Sequence, residues 1–437
     1  MSELKAGATP VTHADAVVVG AGPAGSATAR FLAEAGHDVV LLEKSQFPRD
    51  KVCGDALTPR AVKALRTLGL LEEAEGTPPG WDRQSGLRMY GGKVVLEMPW
   101  PELDDYPSHS VTATRSLFDE TLAEHAVKAG AALWERAEAT EPVFLSASED
   151  RVAGVRYERT LPDESVEAGV VRAPLIVAAD GGSSRLSVAL GLHRDQRRPM
   201  GVAIRAYYDT TRTDLDLMEG FLEMRRRPDN GAAQGELLPG YGWVFPLDDG
   251  GVNVGWGMLN SSGHFRSTNY RQVLTDWVDT FPEEWGIGPA SIDGKPRSAG
   301  LPMAHNRRPA VHRGVMLVGD AAGMVNPFNG EGISYAIEAA AFAAEAGDEA
   351  LRTHSDAPLH RYPDAIADAW GGYYTLGRAF VWAFGSPTVM RICRDYGMPR
   401  RRLMDFVFRT MAHLVNHRSA DGTDLLLNTL SRAVPRS

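Results

Sequence analysis

Gly20, Gly22 and Gly25, spaced as G-x-G-x-x-G, sit between an apolar run at 16–19 and an alanine-rich stretch that begins at Pro23. This pattern suits a pair of linked phosphates. Gly20 permits a tight turn, Gly22 lets the backbone approach a pyrophosphate, and Gly25 lets a helix pack closely on the strand. A helix starting near Pro23 aims its positive end and unbonded N–H groups at those phosphates. A second apolar run ends in Glu43, whose carboxylate is placed to accept hydrogen bonds from ribose hydroxyls. The chemistry these residues suggest is the binding of a dinucleotide.

Two further segments repeat the order of strand, acid, loop and helix. One runs from Gly314 through Asp320 to Gly330, Gly332 and Ile333; the other is the run 176–185, where Asp180 is followed by two glycines. Asp320 suits ribityl or ribose hydroxyls. A helix beginning after Gly332 would aim its positive end at a flavin edge and favour the anionic reduced form. Three such segments in this order point to FAD. Outside them, Cys53 lies in the loop 47–60, and Tyr241, Trp243 and Phe245 alternate along an expected strand, so their rings share one face. That face suits an apolar channel, and it equally suits an ordinary sheet core.

These residues need a scaffold of known kind. With 437 residues, 43% of them hydrophobic and 23% charged, the chain can bury a large core. We expect an α/β fold: a Rossmann-like, discontinuous FAD-binding domain (14–76, 108–195 and 306–348), an antiparallel β-sheet substrate domain (77–107 and 196–305) and a C-terminal helical region (349–437). Helices are expected from Pro59, capped by Thr58, and over 116–128, closed by Gly130. Residues 143–178 read as one hairpin leading into a strand at 175–179, and residues 1–13 as a disordered leader. The net charge of −10 argues against nucleic-acid binding. Two cysteines and no apolar leader point to a cytoplasmic protein, and no His/Cys spacing suggests a metal. Residues 370–437 hold ten arginines against four aspartates, which suggests an anionic surface as partner.

The three segments together resemble the FAD-dependent superfamily of aromatic hydroxylases, flavin halogenases and geranylgeranyl reductases over about residues 14–345. In that superfamily the arginine of an Arg-x-x-Phe-Asp-x-x-Leu pattern contacts the flavin phosphates or ribityl, which here implies Arg115. The loop Lys51-Val-Cys53-Gly54 looks like the Lys-x-Cys-Gly loop of geranylgeranyl reductases, which lies against the isoalloxazine ring. The run 238–246 is similar to those enzymes' Pro-x-x-Tyr-x-Trp-x-Phe-Pro signature, one residue shorter between Pro239 and Tyr241. Halogenases carry a Trp-x-Trp-x-Ile-Pro motif and a lysine after a glycine-rich Trp turn; neither is present. The resemblance is strongest to bacterial enzymes that hydrogenate the isoprenoid tail of menaquinone. It implies that Ala24, Lys44, Cys53, Gly54, Ala56 and Ala139 line the cofactor, and that Tyr241, Trp243 and Phe245 line the substrate cavity.

The expected reaction is saturation of a prenyl double bond in a menaquinone or geranylgeranyl substrate, with NAD(P)H as transient reductant, since no second G-x-G-x-x-G is present. Cys53 is the candidate proton donor. Trp370, Tyr373, Tyr374, Phe380, Trp382 and Phe384, followed by Arg391, Arg394 and 400–402, are expected to form an interfacial patch on the inner face of the membrane. Two alternatives stay open: a flavin monooxygenase acting on a secondary metabolite, and a prenyl-binding chaperone. No residue pattern sets the head group or the oligomeric state.

Overall fold

The computed structural model describes residues 10–72, 77–148, 150–227, 235–416 and 420–436. Its centre is a six-stranded sheet. The strands Val311–His312, Val315–Leu317, Leu175–Ala178, Ala16–Val19, Val39–Leu42 and Ala132–Trp134 stand side by side in that order, parallel except at the first pair. Every residue of Ala16–Val19, Val39–Leu42 and Leu175–Ala178 is buried, as a parallel sheet covered on both faces demands. The helices Pro23–Glu34, Arg115–Lys128 and Ile333–Thr353 pack together beside it. Leu32, Phe118 and Ile337 join the strand residues in one core. The parallel strands end together, so the loops after Val19, Leu42, Ala178 and Leu317 converge on one side.

A seven-stranded sheet holds Ile292–Pro302, Met200–Asp209, Gly251–Leu259, Gly240–Pro246, Leu217–Phe221, Gly86–Gly91 and Val94–Pro99 in that order. It is antiparallel except where Leu217–Phe221 runs alongside Gly86–Gly91. Alternation decides its faces. Val244, Val254 and Trp256 pack with the helix Tyr270–Val278 in a second core, and Trp243 and Phe245 point the other way.

The hairpin expected over 143–178 is formed by Val152–Thr160 and Val166–Arg172, closed by the polar turn Asp163–Ser165, and it leads into the strand Leu175–Ala178; Ala137–Phe144 adds a third antiparallel strand beside Val152–Thr160. Two other local expectations need correction. At the N-terminus, Val11–His13 is a strand paired in parallel with Val170–Arg172, and residues 1–9 lie outside the described residues. The C-terminal aromatics, finally, do not form one surface. Of the six aromatics expected to share it, Trp370, Tyr373 and Tyr374 are buried around Tyr335, and only Trp382 stands out, at 81% exposure. Their hydroxyl and indole groups satisfy internal partners: Tyr374 donates to the Met324 carbonyl and Trp370 to Glu338. Such a satisfied polar handle is what lets Tyr and Trp lie deep in a core.

Candidate functional site

The first strand of the central sheet turns at Gly20. Its φ is +97°, and a Cβ there would come within 2.6 Å of the Ala179 carbonyl oxygen; both require glycine. Gly25 sits so tightly on that turn that a Cβ would lie 1.7 Å from the Gly20 oxygen. Gly22 differs: a Cβ there meets nothing nearer than the Arg49 guanidinium at 4.0 Å. Gly20 and Gly25 therefore close the turn, and Gly22 leaves space in front of the helix. That helix begins at Pro23 with no side-chain cap, so its first N–H groups face open space.

Glu43 accepts from the Ala21 amide at 3.1 Å, the Ser45 amide at 2.9 Å and Arg49 at 3.1 Å. Arg49 also binds Asp119 at 2.7 Å, and Asp119 in turn takes a two-pronged hydrogen bond from Arg115 at 2.8 Å. The chain of charge thus runs from the ribose-binding candidate across to the helix Arg115–Lys128. Neither Arg49 nor Asp119 is among the expected site residues; Arg49 lies in the quoted loop 47–60, one residue past a proline, and only its contacts reveal it.

The two other acidic loops are equally enclosed. Burial pushes the Asp180 carboxyl up, and its Oδ1 is buried without a partner among the described residues. Burial likewise raises Asp320, opposed by Lys51 and Arg115. Gly332 stands over it, where a Cβ would come within 3.3 Å of Asp320 Oδ1. The helix Ile333–Thr353 starts there, again without a side-chain cap.

Cys53 and Gly54 close the middle of the site. A Cβ on Gly54 would be 3.1 Å from the Phe245 ring and 3.4 Å from Trp243 Nε1, so the loop lies flat on the aromatic strand. Burial raises the Cys53 thiol, with Arg115 pulling the other way. Behind the loop, Asp55 (1% exposed) accepts from Tyr207 and Asn253 at 2.8 Å and from the Arg115 amide at 3.2 Å. Burial lifts this carboxyl to about 6 against those hydrogen bonds. Asn253 also holds the Cys53 carbonyl and accepts from Trp243, tying loop to strand. Tyr241 donates to the Asn329 carbonyl at 2.6 Å, and burial lifts its hydroxyl to about 12.

All these surfaces open on one cavity of about 710 Å³. Gly20, Gly22, Ala24, Glu43, Lys44, Cys53, Gly54, Ala56, Arg115, Ala139, Asp180, Asp320, Gly330, Gly332 and Ile333 line it, as do Tyr241, Trp243 and Phe245. Gly25 alone of the expected residues stands behind the wall, where it packs helix on strand. The cavity continues beyond the aromatic strand into an apolar arm lined by Met89, Met98 and Met218 from the sheet and by Phe384, Met404 and Phe408 from the C-terminal helices. These methionines carry no local sequence signal; their meeting is a tertiary event.

Two uncapped helix starts, a glycine space between them and buried acids with free oxygen atoms fit a pyrophosphate and polyhydroxyl chain, so the site suits FAD on its own geometry. Fold and cavity together define an FAD-binding α/β flavoprotein. A family model described as an FAD binding domain matches residues 13–366. The menaquinone reductase of Mycolicibacterium smegmatis is 34% identical over 414 residues, 94% of each chain. The digeranylgeranylglycerophospholipid reductase of Methanosarcina acetivorans is 29% identical over 82% of this chain and 80% of its own. A geranylgeranyl bacteriochlorophyll reductase-like protein from Thermoplasma acidophilum shares the fold, with a TM-score of 0.71, 22% identity and 96% coverage of both chains. The chain belongs to the FAD binding domain family and, within it, to the geranylgeranyl reductase group that includes the bacterial menaquinone reductases. It is an FAD-dependent oxidoreductase.

Proposed function

We propose that this enzyme saturates a carbon–carbon double bond in a prenyl chain, of the menaquinone or geranylgeranyl type, using NAD(P)H as the ultimate reductant. The observation that carries the reading is the continuity of the cavity: its polar end is walled by the FAD loops, its far end by methionine and aromatic side chains, and the two meet at Cys53–Gly54 and Tyr241–Trp243–Phe245. Methionine suits a flexible hydrocarbon because its thioether adapts to irregular shapes.

Bound FAD, once reduced, supplies the hydride. The protein's own residues have three tasks. Gly20, Gly22, Ala24, Glu43, Lys44, Arg115, Ala139 and Asp180 would hold the dinucleotide, with Gly25 packing the helix behind it; Ala56, Asp320, Gly330, Gly332 and Ile333 would hold its flavin half. The aromatic strand excludes water and presents ring faces to positive charge that develops on the alkene carbon. Cys53, neutral because burial raises its thiol, supplies the proton to the second carbon. Its neighbour Tyr241 likewise stays protonated at neutral pH.

A long prenyl substrate resides in a bilayer. Among the described residues no helix is long and apolar enough to cross one. The apolar arm runs out past Met390, Cys393 and Leu403, beside exposed Trp382, Ile392 and Tyr396 and the arginines 391 and 400–402. We read this end as the face that rests on an anionic membrane, with arginines at the headgroups and Trp382 at the interface.

The test is anaerobic turnover with menaquinone or a geranylgeranyl lipid and dithionite-reduced enzyme. A product heavier by two daltons is expected; a reaction that needs oxygen and adds one oxygen atom makes the enzyme a monooxygenase.

A further inference from the structure

A second cavity, of about 620 Å³, adjoins the FAD site. Met200 and Gly201 are neighbours on the strand Met200–Asp209; Met200 lines the second cavity and Gly201 the first, as alternation along a strand requires. Ser183, in the Asp180 loop, lines both.

The second cavity is cationic. Arg194, Arg198, Arg266 and Arg307 line it, and Arg308 and Arg378 stand close enough to Arg198 to act on it. Among the described residues none of these six has an ion pair. Arg307 is 2% exposed and spends its guanidinium on the carbonyls of Ala321 and Gly182, leaving Nε buried and unpartnered. Arg198 reaches only the Ala304 carbonyl. Asn306, 1% exposed, presents an unpartnered Oδ1. Asp195, a carboxylate on this lining, is engaged by Arg197 on the same turn. Burial and the neighbouring guanidinium groups push Arg198 down to about 10, and burial and Arg194 lower Arg307. Like charges gathered in a concave, partly dry site repel one another until an anion joins them.

Resting on the reductase reading above, we propose that this arginine-walled cleft binds the phosphates of the nicotinamide reductant, so that NADPH or NADH docks through its diphosphate against Arg194 and Arg198, with the charge of buried Arg307 behind them. Arginine recognises phosphate through paired N–H donors, and several arginines in one concavity suit a diphosphate. The site lacks a Gly-rich helix turn, which accords with a cofactor that arrives and leaves in each cycle. The electron count closes: saturating one double bond takes two electrons and two protons, NAD(P)H becomes NAD(P)+ by giving a hydride, and the second proton comes from Cys53, which solvent reprotonates.

Stopped-flow reduction of the FAD-loaded, full-length enzyme under anaerobic conditions tests this, following the flavin band. In Arg194→Gln/Arg198→Gln, and in Arg194→Gln alone as a variant at an exposed position, the NADPH or NADH concentration for half-maximal reduction should rise, by about tenfold or more in the double variant. Dithionite should still bleach the flavin. Titration calorimetry should show NADP+ or NAD+ binding weakened to match, with inorganic pyrophosphate competing in the wild type. Unchanged half-saturation overturns the proposal. So does a loss of affinity confined to geranylgeranyl diphosphate, which would assign the cleft to a substrate head group. Failure of the reductase reading has a different signature: dithionite-reduced wild type that leaves the alkene intact.

Discussion

Cys53 and Asp55 flank Gly54 and do different work. The thiol faces the cavity; the carboxylate lies behind the loop and anchors it through Asn253, Tyr207 and the Arg115 amide. Cys53→Ala should slow alkene saturation about tenfold or more, in the range a general acid contributes, while the yellow FAD band remains. Unchanged turnover would remove the thiol from the chemistry. Asp55 makes a separate prediction about stability. Its carboxyl is raised from 3.8 to about 6, so the folded state favours the protonated form. The associated stability is fully present below about pH 4 and is lost as pH rises through about 6. Over that interval the linkage amounts to about 3 kcal/mol. Denaturant unfolding of wild type and Asp55→Asn at pH 4 and pH 7 checks it: the wild-type advantage over the variant should shrink by about that amount. A difference that stays flat with pH would show an ordinary carboxyl.

The loops that build the site are set by how their flanking elements pack. Val19, Ala178 and Leu317 end adjacent parallel strands, so three loops remote in sequence become neighbours. Gly25 is the tightest point of that arrangement. Gly25→Ala should yield protein without FAD, because the Cβ has no room against the Gly20 carbonyl. Gly36→Ala offers the contrast: φ there is +93°, yet nothing lies within 4 Å of its Cβ. That variant should lose about 1 kcal/mol of stability and keep its flavin absorbance, read in one spectrum alongside thermal unfolding. Much of this was legible in advance, because glycine spacing, strand runs and terminal acids are local signals. The pairing of Arg49 with both Glu43 and Asp119 was not, since the partners stand 6 and 70 positions away.

For the molecule as a whole, the C-terminal helices have two faces. One completes the apolar arm, with Met404 and Phe408 packed on Met98 of the sheet and on Trp100 just past its strand. The other exposes Trp382, Ile392 and Tyr396 among arginines. Removal of everything after residue 369 would strip Trp370, Tyr373 and Tyr374 from the core, so point variants are the sound test. Trp382→Ala with Arg400–402→Gln should reduce sedimentation with anionic liposomes at least severalfold, leaving binding to FAD intact. Sedimentation equal to wild type would rule out this face as the membrane contact. Raised salt should weaken the wild-type interaction too, since exposed charges are screened within about 10 Å at 0.1 M.

Composition and local pattern by themselves determined the Rossmann-like sheet, the three acid-bearing turns and the aromatic strand; the Cys-Gly loop was marked by its resemblance to the reductases. Each is encoded within a dozen or so residues, by glycine that tolerates a tight approach or by strand alternation. Tertiary structure alone decided that Trp370, Tyr373 and Tyr374 go inward while Trp382 stays out, and that methionines from distant segments line one arm. It also gathered around one cleft four arginines that have no ion pair among the described residues. The reason is physical. Burial and net local charge depend on which surfaces meet, and a helix with apolar residues on several sides does not by itself say which side faces its neighbour.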